Sequence, residues 1–146
     1  MAHALNPGAT TLHGTGTFPR LLLEHARVRG ERPALREKDL GIWQTRTWSE
    51  VAAEVRTVAA GMAALNVGRG QHIAVIGENR PRLYIAMMAA QVLGAIPVPL
   101  YQDAVAQEIV YVMQDAEIAL AVVENQEQVD KLLENQAQCP ALRHVV

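Results

Sequence analysis

One serine, one cysteine and two lysines in 146 residues leave little material for several common chemistries. Ser49 has no G-x-S-x-G elbow around it, which excludes a nucleophile of that type. Lys38 and Lys131 follow no glycine-rich loop, so a P-loop is absent. Gly14 with Gly16, and Gly68 with Gly70, have G-x-G spacing. Neither pair sits between a strand and a helix, where a dinucleotide fingerprint needs its glycines. Cys139 cannot form an internal disulfide and has no Cys/His zinc spacing around it; preceding Pro140, it reads as a structural thiol. The histidines, His3, His13, His25, His72 and His144, are scattered without paired ligand spacing. Aromatic residues make up 4%, too few for a stacking platform, so no nucleic-acid partner is expected.

Targeting signals are also missing. Residues 1–17 hold neither a basic side chain nor an apolar run, so no secretory signal is expected there, and a cytoplasmic, reduced setting is the default. The most apolar stretch, 83–100, is interrupted by Gln91, Gly94, Pro97 and Pro99. A spanning helix needs about 20 mostly apolar residues, so this stretch reads as a buried helix followed by a buried strand.

What is there suits a folded domain: half the residues are hydrophobic and 19% are charged. The net charge of −2 conceals a front, 1–101, of +4 and a back, 102–146, of −6. Arg20, Arg27, Arg29, Arg32, Arg36 and Lys38 cluster near the start and could face an anion, a lipid surface or a partner. Glu24, Glu31 and Glu37 are interspersed, so the plainer reading is a solvated helix face and hairpin.

Residues 1–17 read as a flexible arm. A helix is expected from Thr17 or Phe18, with Pro19 in its first turn and Gly30 as its stop. A small hairpin over 34–37 and 41–46 turns around 38–40. Thr47-Trp48-Ser49-Glu50 fits a capping box. Val51, Val55, Val58, Met62 and Leu65 follow as one helical stripe, with Asn66 suited to a left-handed cap. A strand over 71–76, a helix opened by Pro81 and ended at Gly94, and a strand over 96–100 make a right-handed βαβ unit with parallel strands. The alternation goes on. Val105, Ile109, Val112 and Ala116 mark a helix with Asp103 as its cap, and 118–123 is a buried-type strand. Asn125 with Gln128 caps a last helix carrying Val129, Leu132, Leu133 and Ala137, and another strand starts at 143–146. The fold class is α/β: a three-layer αβα arrangement on a parallel sheet, preceded by a helix and a small hairpin.

In open parallel sheets, ligands gather beyond the carboxyl ends of the strands. That rule selects Gly77-Glu78-Asn79-Arg80 and Tyr101-Gln102-Asp103, although every such turn needs similar residues whatever it binds. The carboxylate pairs Glu50 with Glu54 and Glu124 with Glu127 fit helix N-termini, where the macrodipole favours negative charge.

Four strings in order carry a resemblance: Thr47-Trp48-Ser49-Glu50-Val51, Leu65-Asn66-Val67-Gly68-Arg69-Gly70, Ile76-Gly77-Glu78-Asn79-Arg80-Pro81, and Gly94-Ala95-Ile96-Pro97-Val98-Pro99-Leu100-Tyr101. Over 18–146 the chain resembles the N-terminal part of the AMP-forming acyl-CoA ligases of the adenylate-forming superfamily. The Gly-Glu-Asn-Arg-Pro string and the Tyr101-Gln102-Asp103 continuation are most similar to the long-chain fatty acid–CoA ligase branch. The resemblance implies that 18–146 is the incomplete first portion of an AMP-binding domain. The full-length parent would use ATP, Mg and CoA to adenylate a fatty acid and pass it to a thiol, in fatty acid metabolism. It also implies that the Tyr101-Gln102-Asp103 turn lies on the CoA side of the cleft.

The family's catalytic strings have no counterpart here. The Ser/Thr/Gly-rich loop ending in Pro-Lys-Gly, the Tyr-Gly-x-Thr-Glu motif, the ribose-binding aspartate, the hinge and the C-terminal lysine are all missing. No catalytic residue or metal ligand carries over, so this chain alone is expected to be inactive and to hold no cofactor. Two local departures are Asn66, where many relatives have glycine, and Ala104, where they often have serine, which moves the expected cap to Asp103. The expected partners are the rest of the parent polypeptide and the fatty acid of the full-length enzyme. Self-association through an exposed sheet edge or the apolar helix is a further expectation, and the parent's lipid substrate implies a membrane-peripheral setting. A self-contained α/β module that binds a small ligand or dimerises without catalysis stays open as the alternative.

Overall fold

A computed structural model describes residues 16–146. The arm expected over 1–17 lies outside the described residues except for its last two positions. The first helix, α1 (Phe18–Arg29), begins as its residues dictate. Thr17 accepts a hydrogen bond from the Arg20 amide at 3.4 Å, and Pro19 occupies the first turn. Gly30 follows it, yet in right-handed conformation, so no left-handed cap ends the helix. Glycine is needed there for space: a Cβ at Gly30 would lie 2.6 Å from Ser49 Oγ. Through that gap the Ser49 amide reaches the Gly30 carbonyl at 3.1 Å and ties α1 to the next helix.

The hairpin pairs β1 (Pro33–Asp39) with β2 (Ile42–Thr47) and is longer than expected. Its turn needs only Leu40 and Gly41, both at positive φ, which lets Lys38 and Asp39 join the ladder opposite Trp43 and Ile42. The capping box is present: Glu50 N–H donates to Thr47 Oγ1 at 3.3 Å, and Thr47 N–H donates to the Glu50 carboxylate at 2.7 Å. It starts α2 (Trp48–Ala64), which buries Val51, Ala52, Val55, Ala59 and Met62. Asn66 takes the left-handed conformation just beyond, at φ 62°.

Four parallel strands form the main sheet: β3 (His72–Ile76), β4 (Ile96–Leu100), β5 (Leu120–Val123) and β6 (His144–Val145), in spatial order β4-β3-β5-β6. Helices α3 (Pro81–Val92), α4 (Ala106–Asp115) and α5 (Gln126–Glu134) connect them. Alternation along the strands fills two cores. Ile73, Val75 and Leu120 pack beneath α1, α2 and α3, while Ala74, Ile76 and Ala121 pack against α4 and α5. The three layers expected of the chain are therefore present.

Several expectations need correction. β4 is not a buried strand but the sheet edge, with Ile96 and Pro99 exposed. The Ile96 amide points inward to the Gln71 carbonyl at 2.8 Å, so alternation turns Pro97 and Pro99 outward, where no neighbour asks for an amide proton. Asp103 caps nothing. Residues 101–104 close as a turn, with the Ala104 amide 3.1 Å from the Tyr101 carbonyl, and α4 opens two residues later from Val105 without a side-chain cap. Its buried stripe is accordingly Ile109, Val110 and Met113; Val105 is exposed. In α5 the Asn125 cap on the Gln128 amide holds at 3.2 Å, but Gln128 and Leu132 face the core and Leu133 faces out.

The contrast between the two predicted caps is measurable. Thr47→Ala should lower stability by about 1 kcal/mol, as loss of an N-cap does, whereas Asp103→Ala should stay within about 0.5 kcal/mol. Urea unfolding of the two variants, with unchanged slopes, checks both.

Candidate functional site

The carboxyl ends of β3 and β5 lie side by side, because Ile76 pairs with Val123 and the Glu124 amide donates to the Ile76 carbonyl at 3.0 Å. Here the chain switches from building the sheet on one side of β3 to building it on the other. Crevices of parallel sheets open at such points. The crevice holds an open cleft of about 680 Å³, walled by the hairpin residues Glu37, Gln44 and Arg46 and floored by Gly77, Glu78, Arg80 and Glu124.

Glu124 organises the floor. Its Oε2 accepts from the Glu78 amide, and its Oε1 lies 3.3 Å from Arg80 Nε. Arg80 Nε also donates to Glu78 Oε2 at 2.7 Å. The hydrogen bond from Arg80, then its charge, then the Gln102 side chain hold the Glu78 carboxyl below its usual 4.5. Gly77 is required by this approach, since a Cβ there would stand 2.8 Å from Glu124 Oε2 and 2.9 Å from Glu124 Cβ. Asn79 accepts from the Tyr84 hydroxyl, which ties the loop to the first turn of α3.

The opposite wall is also charge-paired. Arg46 Nη1 donates to Glu37 at 2.7 Å and its Nε to Glu54 at 3.2 Å, which fastens the hairpin to α2.

The structure thus brings Gly77, Glu78 and Arg80 into one cleft. Tyr101, Gln102 and Asp103 follow the neighbouring β4 at the same end of the sheet. Tyr101 is 87% exposed and Asp103 is exposed, while Gln102 contributes to the Glu78 environment. Lys131 of α5 holds this second turn, donating to the Gln102 carbonyl at 2.8 Å and the Ala104 carbonyl at 3.3 Å. Of the paired carboxylates, Glu50 serves its cap, Glu54 takes Arg46, Glu124 takes Arg80 and Glu127 stands exposed in the first turn of α5, so no acid–base pair is assembled among them. Cys139 is buried, and burial pushes its thiol above the usual value, as suits an inert structural cysteine.

Sequence reasoning missed Lys131, Arg46 and the clamping role of Glu124. Glu124 was within reach, because it directly follows an apolar strand and the carboxyl-end rule applies to that strand as well. Arg46 pairs across the hairpin and onto α2, which only the assembled fold reveals.

Among the described residues, no three His, Cys, Asp or Glu side chains converge on a point where a metal could sit. The guanidinium of Arg80 and the Glu78 amide are already engaged by carboxylates, which leaves Arg82 as the remaining cation of the cleft lining among the described residues. These residues by themselves do not fit Mg-ATP.

The AMP-binding enzyme family model matches residues 22–146. The chain is 27% identical over 140 residues to the long-chain-fatty-acid–CoA ligase FadD15 of Mycobacterium bovis, covering 96% of this chain and 23% of that protein. It is 29% identical over 130 residues to the long-chain-fatty-acid–CoA ligase ACSBG2 of Xenopus laevis, covering 89% of this chain and 18% of the other. In fold it is similar to an anthranilate CoA ligase, AuaEII, solved with anthranoyl-AMP. That superposition has a TM-score of 0.79 at 21% identity over 87% of this chain and 24% of the other. The chain therefore spans less than a quarter of the length of these curated relatives.

Two outcomes are expected at the cleft. Gly77→Ala should cost about 1–3 kcal/mol in urea unfolding, because Glu124 must move and the Glu78 amide loses its acceptor. In a carbon-13 NMR titration Glu78 should titrate below 4.5, and Arg80→Met should return its midpoint towards 4.5. Because the folded value is the depressed one, the pair's stabilisation is complete above 4.5 and is lost as pH falls through the lowered midpoint.

Proposed function

The chain belongs to the AMP-binding enzyme family, and from that membership we propose that it is the N-terminal segment of an ATP-dependent long-chain fatty acid–CoA ligase. One observation carries the reading: alignments to such ligases take in 89–96% of this chain and 18–23% of theirs. The parent would activate a fatty acid with Mg-ATP as an acyl-adenylate, releasing pyrophosphate, and then transfer the acyl group to coenzyme A. Stabilising charge at phosphorus needs basic side chains that converge on it. In this segment Arg46 and Arg80 are paired with carboxylates, Arg82 is the remaining cation of the cleft lining among the described residues, and the family's phosphate loop is absent from the sequence, so the 146-residue chain is catalytically inert on its own. Its part is architectural: residues 18–146 form the first portion of the AMP-binding domain, and the Tyr101-Gln102-Asp103 turn borders the coenzyme A side of the cleft.

No helix among the described residues is long and apolar enough to cross a membrane. A cytoplasmic parent at the membrane periphery fits a lipid substrate. The partner is the remainder of the parent polypeptide, docked along the open side of β6. In its absence the same edge serves self-association.

The test is fatty acid-dependent ATP–pyrophosphate exchange. The purified 146-residue chain should show none, and a ligase-length polypeptide that begins with these residues should show it. Exchange by the short chain overturns the assignment of the chemistry to other segments. Its absence from the long one overturns the ligase reading.

A further inference from the structure

The hairpin opposes two unlike faces. Cross-strand partners share a face, and successive residues alternate between faces. Glu37 and Asp39 therefore lie on one side with Gln44 and Arg46, and all four line the cleft. The other side carries Arg36 and Lys38 with Trp43 and Thr45, and every one of these is exposed. It holds two cations and no acid. Arg36 stacks its guanidinium over the Trp43 ring at 5.1 Å, yet Trp43 remains 59% exposed.

The turn between the strands is the more telling feature. Leu40 stands 94% exposed at the tip, with φ at 46°. That left-handed position is one where asparagine or glycine is favoured and a branched side chain is strained. Among the described residues nothing is gained by a leucine there, since it stands almost wholly exposed and its backbone would relax with asparagine. Ile42, beyond Gly41 and opposite Asp39 on the other face of the hairpin, is exposed as well, at 65%. On the outer face, with Asp39 turned to the cleft side, an aliphatic tip, a tryptophan behind it and two cations beside that ring reproduce the order of groups met on crossing into a bilayer. Acyl chains take the leucine, the interfacial layer takes the indole, and anionic headgroups take the lysine and arginine.

We propose that the outer face of the β1–β2 hairpin, Arg36, Lys38 and Trp43 with Leu40 at its tip, docks on the surface of an anionic phospholipid membrane. Arg36, Lys38, Leu40 and Trp43 lie outside the cleft lining, although Thr45 of the same face reaches it. The proposal gives the membrane-peripheral setting proposed above a surface, and lipid binding can fail while pyrophosphate exchange succeeds.

The 146-residue chain is sedimented with vesicles of phosphatidylcholine alone and with vesicles containing phosphatidylglycerol, while tryptophan emission is recorded. Binding should require phosphatidylglycerol and weaken with salt. Trp43 emission should shift to the blue, and Trp43→Phe should abolish the shift, leaving the silent Trp48 that packs on His25 at 4.6 Å. Lys38→Gln should weaken binding about fivefold. Leu40→Asn separates docking from folding: it should hold or raise the urea midpoint yet weaken binding roughly tenfold. Equal binding to both vesicle types, no binding to either, or full binding by Leu40→Asn would each overturn the proposal. A Trp43 shift that follows protein concentration without lipid would assign the face to a second copy, and would overturn it too.

Discussion

A right-handed crossover is the constraint on which this molecule is built. Parallel strands joined through a helix accept only one hand. The chain places β4 on one flank of β3 and then returns to place β5 on the other. Reversing direction with a fixed hand puts α3 and α4 on opposite faces, which is why two separate cores exist rather than one. The same reversal leaves the carboxyl ends of β3 and β5 uncovered between diverging helices. Gly77 meets Glu124 there because the two strands run in register, and the rest of the cleft floor follows from that meeting.

The ion pairs of the cleft hold loops. Exposed ion pairs contribute little to stability, so Arg80 between Glu78 and Glu124 matters mainly for position. It fixes the direction in which the β3–α3 turn leaves the sheet. Arg46 does the same for the hairpin, and Lys131 for the turn after β4. Three cations from three elements each clasp a loop or strand that borders one end of the sheet. Together they give that end of the sheet a fixed shape.

Features settled within a few residues were legible in the sequence. The Thr47–Glu50 box, the left-handed Asn66 and the Asn125 cap each depend on local hydrogen bonds or a local backbone conformation, and each stands as read. What depended on distant neighbours was not. Asp103 looked like a cap because an acid before a helical stripe usually is one, but Lys131, 28 residues on, holds the 102–104 segment in a turn and displaces the helix start. β4 looked buried because it is apolar, and its place at the edge was written only in the spacing of two prolines. Of the cleft, the Gly77–Arg80 turn was found by its position after a strand. Glu124 was passed over because helix-terminal carboxylates have a ready local explanation.

Those two prolines give the sheet a direction of growth. At Pro97 and Pro99 the outward side of β4 offers carbonyl oxygens without amide protons, so a visiting strand could form only half of a ladder there. β6 carries no such block. Of the sheet's two flanks one is sealed chemically and the other is open. Added strands, whether from the same polypeptide or from a misfolded neighbour, are channelled to a single entrance. Replacing both prolines would leave the fold's own hydrogen bonds untouched and open the β4 flank to a complete ladder as well.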